Sequence, residues 1–352
     1  MSENSKIEWT DHTFNPWEGC QKVGPGCDHC YAETRNARFS GGQAVNWGPG
    51  APRRRTSEAN WRKPLAWNAA HFEFFAKHRR RQRVFCASLA DVFDNEVDQK
   101  WRRDLFDIIE LTPNLDWLLL TKRIGNVVRM LPSHDWAARG NVWLGATIVN
   151  QEEADRDIPK LLAVPARVRF LSMEPLLGPV NLTDVPMPES GHGYHEYSPV
   201  ITGNPLKRSQ LRKPKIDWVI VGGESGPGAR PMHPKWVRSL RDQCQAADVP
   251  FLFKQWGEWK PISQMEEAEH SALYESRVTT KPHEDQGNLD DIYGRKCTVP
   301  TTALHIDGST HEITEPIAFL QGTEAMQVFQ IGKKAAGRLL DGRTWGQFPK
   351  GL

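Results

Sequence analysis

The sequence predicts an α/β protein built on a complete or partial TIM-type (β/α) barrel with parallel strands. Three observations carry that expectation. Short apolar runs alternate with helix-like stretches through the middle of the 352 residues. Most runs are continuous and rich in Val, Leu, Ile and Phe, the pattern of parallel strands covered on both faces. Each run ends in polar residues, and barrels of this type carry their chemistry at the C-terminal ends of the strands. A doubly wound open sheet is the alternative topology for the same alternation.

Taken in chain order, the first strand is expected around Thr13–Trp17. The next runs are Val84–Ser88, Trp117–Thr121, Val142–Ile148, Val168–Ser172, Trp218–Val221 and Phe251–Phe253. Between them, Val97–Leu111 places Val97, Trp101, Leu105, Ile108 and Ile109 at helical spacing, with Asp94 or Asn95 as the capping residue. Gln151–Ala163 and Ile124–Leu131 read as helices. So does Pro234–Ala247, with Pro234 in the first turn. This gives a barrel over residues 1–256, interrupted by an excursion at about 39–68 and an insertion at about 184–215. Residues 257–352 read as a small C-terminal α+β cap. It contains a hairpin around Asp307-Gly308 within Thr302–Glu312, a strand at Met326–Ile331 and a helix at Lys333–Leu340.

Composition narrows the class. Hydrophobic residues are 39% and charged residues 25%, a globular balance. The net charge of +2 argues against a globally basic nucleic-acid binder and leaves local patches open. The N-terminal segment is not a secretory signal, and no apolar run approaches the ~18 residues of a membrane span. A soluble, cytoplasmic protein without membrane partners is expected.

Six converging strand ends are expected to make a large polar pocket. They carry Ser88 with Asp91, Thr121-Lys122-Arg123, Thr147 with Asn150 and Gln151, Ser172 with Glu174, Gly222-Gly223-Glu224-Ser225, and Lys254-Gln255-Trp256. Lys122 and Glu224 stand out, because each closely follows an apolar run where a charge needs a partner or a ligand.

Three of the six cysteines, Cys20, Cys27 and Cys30, fall in the loop after the first strand. Thiolates so spaced can share one metal centre. Three of them suit a four-iron cluster with one iron left open. With His12 or His29 as a fourth ligand they suit structural zinc instead.

These blocks resemble a known family. KIEWTDHTFNPWEGC, GCDHCYAE, VFCASLADVFD, LLLTKR, RFLSMEPLLGPV, DWVIVGGESGPGARPMH, FKQWGEW and GKKAAGRLLDGRTW together are similar to a phage- and prophage-encoded three-cysteine-motif branch of unknown function. The cysteine loop after the first strand resembles the radical S-adenosylmethionine superfamily. The Thr-Lys at a strand end is distantly similar to its spore photoproduct lyase branch. Three departures stand out, one of them His29, which precedes the third cysteine where the superfamily has an aromatic residue. The first cysteine gap is six residues where the superfamily has three, and Gly222-Gly223-Glu224 follows a late strand where the superfamily's Gly-Gly-Glu follows the second.

The resemblance implies a [4Fe-4S] cluster on Cys20, Cys27 and Cys30, with bound S-adenosylmethionine and an external electron donor. Reductive cleavage then gives a 5′-deoxyadenosyl radical that abstracts hydrogen from substrate. Lys122 is the candidate partner of the cofactor carboxylate. Ser88, Asp91, Thr147, His29 and Glu174 complete the candidate cofactor-binding set. Glu224 is a candidate catalytic group toward ribose or substrate. Cys86 shares strand parity with Ser88, is expected to face the barrel interior, and is a candidate hydrogen-atom donor, with core packing as its alternative role.

DNA or a nucleotide is the expected substrate. The grounds are 14 Trp, many beside Arg or Lys, together with the basic runs Arg53–Arg55 and Lys77–Arg83 and the cations Lys207, Arg208, Arg212, Lys213 and Lys215. The competing class is a zinc-stabilised, non-enzymatic accessory binding module.

Overall fold

The computed structural model describes residues 5, 7–187, 201–208 and 214–349. The expected parallel sheet is present. Its strands are β1 (His12–Thr13), β2 (Gln82–Cys86), β3 (Leu115–Thr121), β4 (Val142–Thr147), β5 (Val168–Met173), β6 (Trp218–Gly222) and β7 (Phe251–Gln255). Their spatial order is their chain order, and every pairing is parallel. A doubly wound sheet reverses order at a switch point, and this sheet does not. Among the described residues β1 and β7 do not pair with each other, so the architecture is a half-barrel in a mixed α/β protein. No helix is long and apolar enough to cross a membrane among the residues described.

The first strand is shorter and earlier than the sequence suggested. Phe14 still donates its N–H to Phe85 O, but Pro16 has no N–H to continue the ladder. Trp17–Glu18 instead pairs antiparallel with Arg54–Arg55 of the excursion.

Side chains alternate between two cores. Val84, Cys86, Trp117, Leu119, Leu144 and Val219 join the layer shared with the helices. Phe85, Leu118, Trp143, Phe170, Trp218 and Ile220 point into the barrel with Trp9. Cys86 therefore lies on the helix side, which corrects the expectation that it faces the barrel interior. The strand ends at Cys86, so parity counted on to Ser88 does not apply.

The main helices are α1 (Tyr31–Phe39), α2 (Gln99–Leu111), α3 (Gln151–Ala163) and α4 (Pro234–Ala246). The cap of α2 is Asp98, whose carboxylate accepts from Lys100 N–H at 2.7 Å. Neither Asp94 nor Asn95 caps it, and Asp94 is consumed by the buried Arg53 at 2.8 Å. The expected helix Ile124–Leu131 is a 3₁₀ turn, Ile124–Asn126, followed by one short helix, Val127–Met130.

Within the insertion, Val185–Met187 pairs with Ile201–Gly203. Arg212 and Lys213 lie outside the described residues. Beyond β7, β8 (Trp259–Pro261), β9 (Thr301–Leu304), β10 (Thr310–His311) and β11 (Met326–Gln330) form an antiparallel sheet in the order β8-β11-β9-β10. The hairpin around Asp307-Gly308 is formed, with Gly308 at a positive φ of 96°. The expected helix Lys333–Leu340 is limited to Lys333–Ala336. Trp236 of α4 donates its indole N–H to Ile306 O at 2.7 Å, which ties this sheet to the barrel. The last residues then cover the edge of β7, where Phe253 N–H bonds Trp345 O and Gln347 N–H bonds Phe251 O.

Candidate active site

The cysteine loop leaves the C-terminal end of β1 and runs into α1. Cys27 ends a 3₁₀ turn, Pro25–Cys27, and is buried. Cys30 is the N-cap residue of α1. Its thiol is pushed up by burial, partly offset by the N–H groups of Glu33 and Ala32 and by the charge of Lys122. Cys20 sits at the other side of the loop. Arg123 Nη1 lies 3.4 Å from its sulfur. Burial outweighs that cation and pushes the Cys20 thiol up to about 11.

Two glycines let this loop lie against the next strand ends. A Cβ on Gly26 would come within 2.7 Å of Val149 Cγ1, and one on Gly24 within 2.7 Å of a Glu153 carboxylate oxygen. Glu153 is fixed by the start of α3. The Asn150 side chain accepts from Glu153 N–H, and Glu153 accepts from Val149 N–H.

The ends of β2 and β3 are held by a dense network. Asn15 Oδ1 accepts from both Ser88 N–H and Leu89 N–H at 2.8 Å, and its amide donates to Ser88 Oγ at 3.0 Å. Tyr31 hydroxyl donates to Ser88 O at 2.5 Å. Asp91 is buried and accepts from Thr121 Oγ1, Lys122 N–H, Phe93 N–H and Arg123. Its carboxylate shapes the β3 turn and holds Arg123, which reaches Cys20. Lys122 is freer. Its ammonium has Thr147 Oγ1 as a partner at 3.3 Å, and it lies close enough to Cys30 to influence that thiol.

On the far side of the mouth, Glu174 at the end of β5 pairs with Lys254 of β7 at 2.7 Å and accepts from Gln255 at 3.3 Å. Gln255 also donates to Ser225 Oγ. Gly222 keeps this space open, because a Cβ there would stand 3.2 Å from the Glu174 carboxyl.

The carboxylate of Glu224, the candidate catalytic group, is engaged by the protein's own side chains. Both of its oxygens are held by Arg230, at 2.7 and 2.9 Å, and Arg230 N–H adds a third bond. His29 Nδ1 lies 3.1 Å from the same carboxylate. Burial alone would raise the Glu224 carboxyl, but the bonds from Arg230 and His29 prevail and hold it below the ordinary glutamate value. His29 accordingly belongs to this buttress. Cys86 is fully buried and enclosed by the helix-side core, and that burial pushes its thiol far up.

All three loop cysteines are free thiols. Among the described residues, no three His, Cys, Asp or Glu side chains stand close enough together to hold a metal ion. The donor types suit a thiolate-bound cluster, and Lys122 and Arg123 supply positive charge beside it. The thiols as arranged do not form a ligand set, and Cys20 faces Arg123.

The basic run of the excursion is internally neutralised. Arg53 is buried on Asp94, Arg54 pairs with Glu18, and Arg55 pairs with Asp104 at 2.7 Å while stacking 4.1 Å over Trp61. In the other run Arg80 pairs with Asp11, and Arg83 is buried over the Phe348 ring at 4.1 Å. Trp67 is buried and stacked on His12. Arg53 and Arg83 are thus buried, whereas Arg54 remains exposed beside Glu18. Asn15 and Arg230 were not named from sequence, and Arg123 and Lys254 were named only among the polar strand ends. Arg123 and Lys254 carried a visible signal, a cation directly at a strand end.

Fold and site together define a mixed α/β half-barrel with a cysteine-bearing loop at its C-terminal rim. The chain belongs to the family described as "Protein of unknown function (DUF5131)", which matches residues 4–349. No curated protein matches it. Among solved structures it is similar to a spore photoproduct lyase double mutant with bound AdoMet and dinucleoside spore photoproduct. That match has 14% identity and a TM-score of 0.33, over 49% of this chain and 47% of the other. A single mutant of spore photoproduct lyase matches at 11% identity and a TM-score of 0.35, over 79% and 68% of the two chains. The chain therefore spans about half the length of the first of these.

Proposed function

We propose that this protein is a radical S-adenosylmethionine enzyme whose Cys20, Cys27 and Cys30 hold a [4Fe-4S] cluster fed by an external electron donor. The observation that carries the reading is the position of three free thiols in one loop at the C-terminal end of the first strand of a sequential parallel half-barrel. When bound and reduced, the cluster supplies the electron that splits S-adenosylmethionine. Seating it requires the three thiols to come together, which for Cys20 means giving up its contact with Arg123.

The chain's own residues then divide the work. Lys122 receives the cofactor carboxylate as a point charge and keeps Thr147 as its neighbour. Glu174 and Lys254 present a joined ion pair on the far side of the mouth. The aromatic layer below them excludes water from the floor. DNA or a nucleotide remains the proposed substrate. The excursion supports it with one feature, a cleft lined by Arg55, Thr56, Glu58, Trp61 and Arg62, in which Arg55 stacks on Trp61 and Arg62 is exposed.

Anaerobic reconstitution tests the reading. Iron and sulfide should load near four per chain, and dithionite with S-adenosylmethionine should yield 5′-deoxyadenosine. Stoichiometric zinc without iron overturns it and favours the accessory binding module. Lys122→Ala should weaken S-adenosylmethionine binding by about 2–5 kcal/mol with the cluster intact. Unchanged affinity removes Lys122 from the cofactor site.

A further inference from the structure

We infer that Arg230 is a positioning residue that latches the cysteine loop to the end of the sixth strand. It spans the two segments with a single side chain. One side of its guanidinium grips both oxygens of the buried Glu224. The other side crosses to the loop, where Nη2 donates to Pro25 O at 2.8 Å and Nη1 to Asp28 at 3.0 Å. The bonds to the loop reach residues some 200 positions earlier in the chain, so no local structure can substitute for them.

The contact is built on both sides. His29 adds a second link from the loop to Glu224, and its ring lies on Gly228, where a Cβ would stand 2.9 Å from Nε2. Behind Glu224 the segment 223–230 is fixed by the C-terminal region. Trp259 donates its indole N–H to Ala229 O at 2.6 Å, and Glu258 accepts from Gly226 N–H at 2.9 Å. The latch thus carries the rigidity of β8 to the thiols. A planar fork is needed to engage a carboxylate at one end and a carbonyl at the other, and a lysine ammonium cannot do both.

The consequence is that opening of the loop is governed by Arg230, with or without a bound group. This inference shares the cysteine loop with the proposed function, and its first test does not depend on a cluster. In metal-free protein, iodoacetamide labelling is followed for each cysteine by peptide mass spectrometry. Arg230→Ala should speed labelling of Cys27 and Cys30 by about tenfold or more, because a truncated charge pair no longer opposes local opening. The buried Cys86 and Cys244 serve as internal references and should not change. Unchanged rates at Cys27 and Cys30 overturn the latch.

If Cys86 and Cys244 also accelerate, that variant has lost its fold, and Glu224→Gln decides, since it keeps the shape and removes the charge. A selective rise at Cys27 and Cys30 in Glu224→Gln supports the latch, and wild-type rates overturn it. Arg230→Lys should fail to restore protection. A second readout follows release of iron to a chelator from reconstituted protein, which should be faster in Arg230→Ala. Wild-type protein that binds no iron overturns the cluster reading alone, and the labelling result still judges the latch.

Discussion

The two ends of the parallel strands are held by different physics. At the N-terminal end, Trp218 meets Phe348 at 5.1 Å between ring centroids, Phe170 at 6.0 Å, Trp143 at 6.1 Å and Trp9 at 6.4 Å. Polar atoms are left over there, since Trp9 Nε1, Trp143 Nε1 and Arg83 Nε have no partner among the described residues. Apolar contact dominates strongly enough for the floor to tolerate them. At the C-terminal end, by contrast, Asp91, Asn15 and Glu224 each accept or donate several bonds. The floor is a packed plug, and the mouth is a scaffold of polar bonds. It follows that a charge at the mouth is not evidence of ligand contact. Asp91 and Glu224 are spent on holding the loops, whereas Lys122 and the Glu174–Lys254 pair stand at the opening.

The sharpest way to break the floor is Trp218→Ala. The side chain is fully buried, and its indole also donates to Gln347 O at 2.9 Å. Its loss should cost about 3–5 kcal/mol, read by urea denaturation. The loss should be nearly independent of salt, because no ion pair is involved. A cost under about 1 kcal/mol would mean that the plug does not bear on stability.

The mouth should respond in kind but through charge. Arg53 and Asp94 are both buried, with side chains 1% and 0% exposed. Arg53→Ala removes the nearer cation and leaves the buried carboxylate only Arg123 at 4.0 Å, so it should cost about 3 kcal/mol. Arg54 pairs with Glu18 but is 65% exposed, so Arg54→Ala should change stability by at most about 1 kcal/mol. The contrast tests whether the basic run serves folding or polyanion binding. Equal small effects on stability, together with a large loss of DNA affinity for Arg53→Ala, would restore the polyanion reading.

Between these in size stands Gly26→Ala. The added methyl meets Val149 Cγ1 at 2.7 Å, so the cysteine loop must lift from β4. Overpacking of this kind costs about 1–3 kcal/mol. A neutral result would show that the loop is not seated against Val149.

How legible this was from sequence depends on the range of the interaction. Strands β2 to β7 were readable because each is a continuous apolar run, a local property. The rim position of the cysteines was readable from the same order. Partnership was not. Arg53 finds Asp94 across 41 positions and Arg230 finds Asp28 across 202, and no window of sequence contains both members. Glu224 and Arg230 are only six residues apart, so that pair was within reach of a local reading. Cys86 was misplaced because side-chain alternation holds only while the strand lasts.

The smallest effect concerns the tail that delivers Phe348 to the floor. Asp341 is held by Arg238 at 2.7 Å and Arg241 at 2.6 Å, and it also accepts from Gln264. The bond from Arg238 is the leading cause, and with Gln264 and Arg241 it outweighs partial burial, so the carboxyl lies far below the ordinary aspartate value of 3.8. A depressed folded-state pKa favours the fold while the group is ionised. The contribution is therefore complete above the unfolded value and fades as pH falls through the lower folded one. The group is 34% exposed, so screening limits its worth to at most about 1 kcal/mol. Asp341→Asn should lower stability slightly at pH 7 and flatten the loss of stability below about pH 4, with the two proteins converging in acid. Urea midpoints measured from pH 7 to pH 2 read this directly, and parallel curves for the two proteins would show that Asp341 does not anchor the tail.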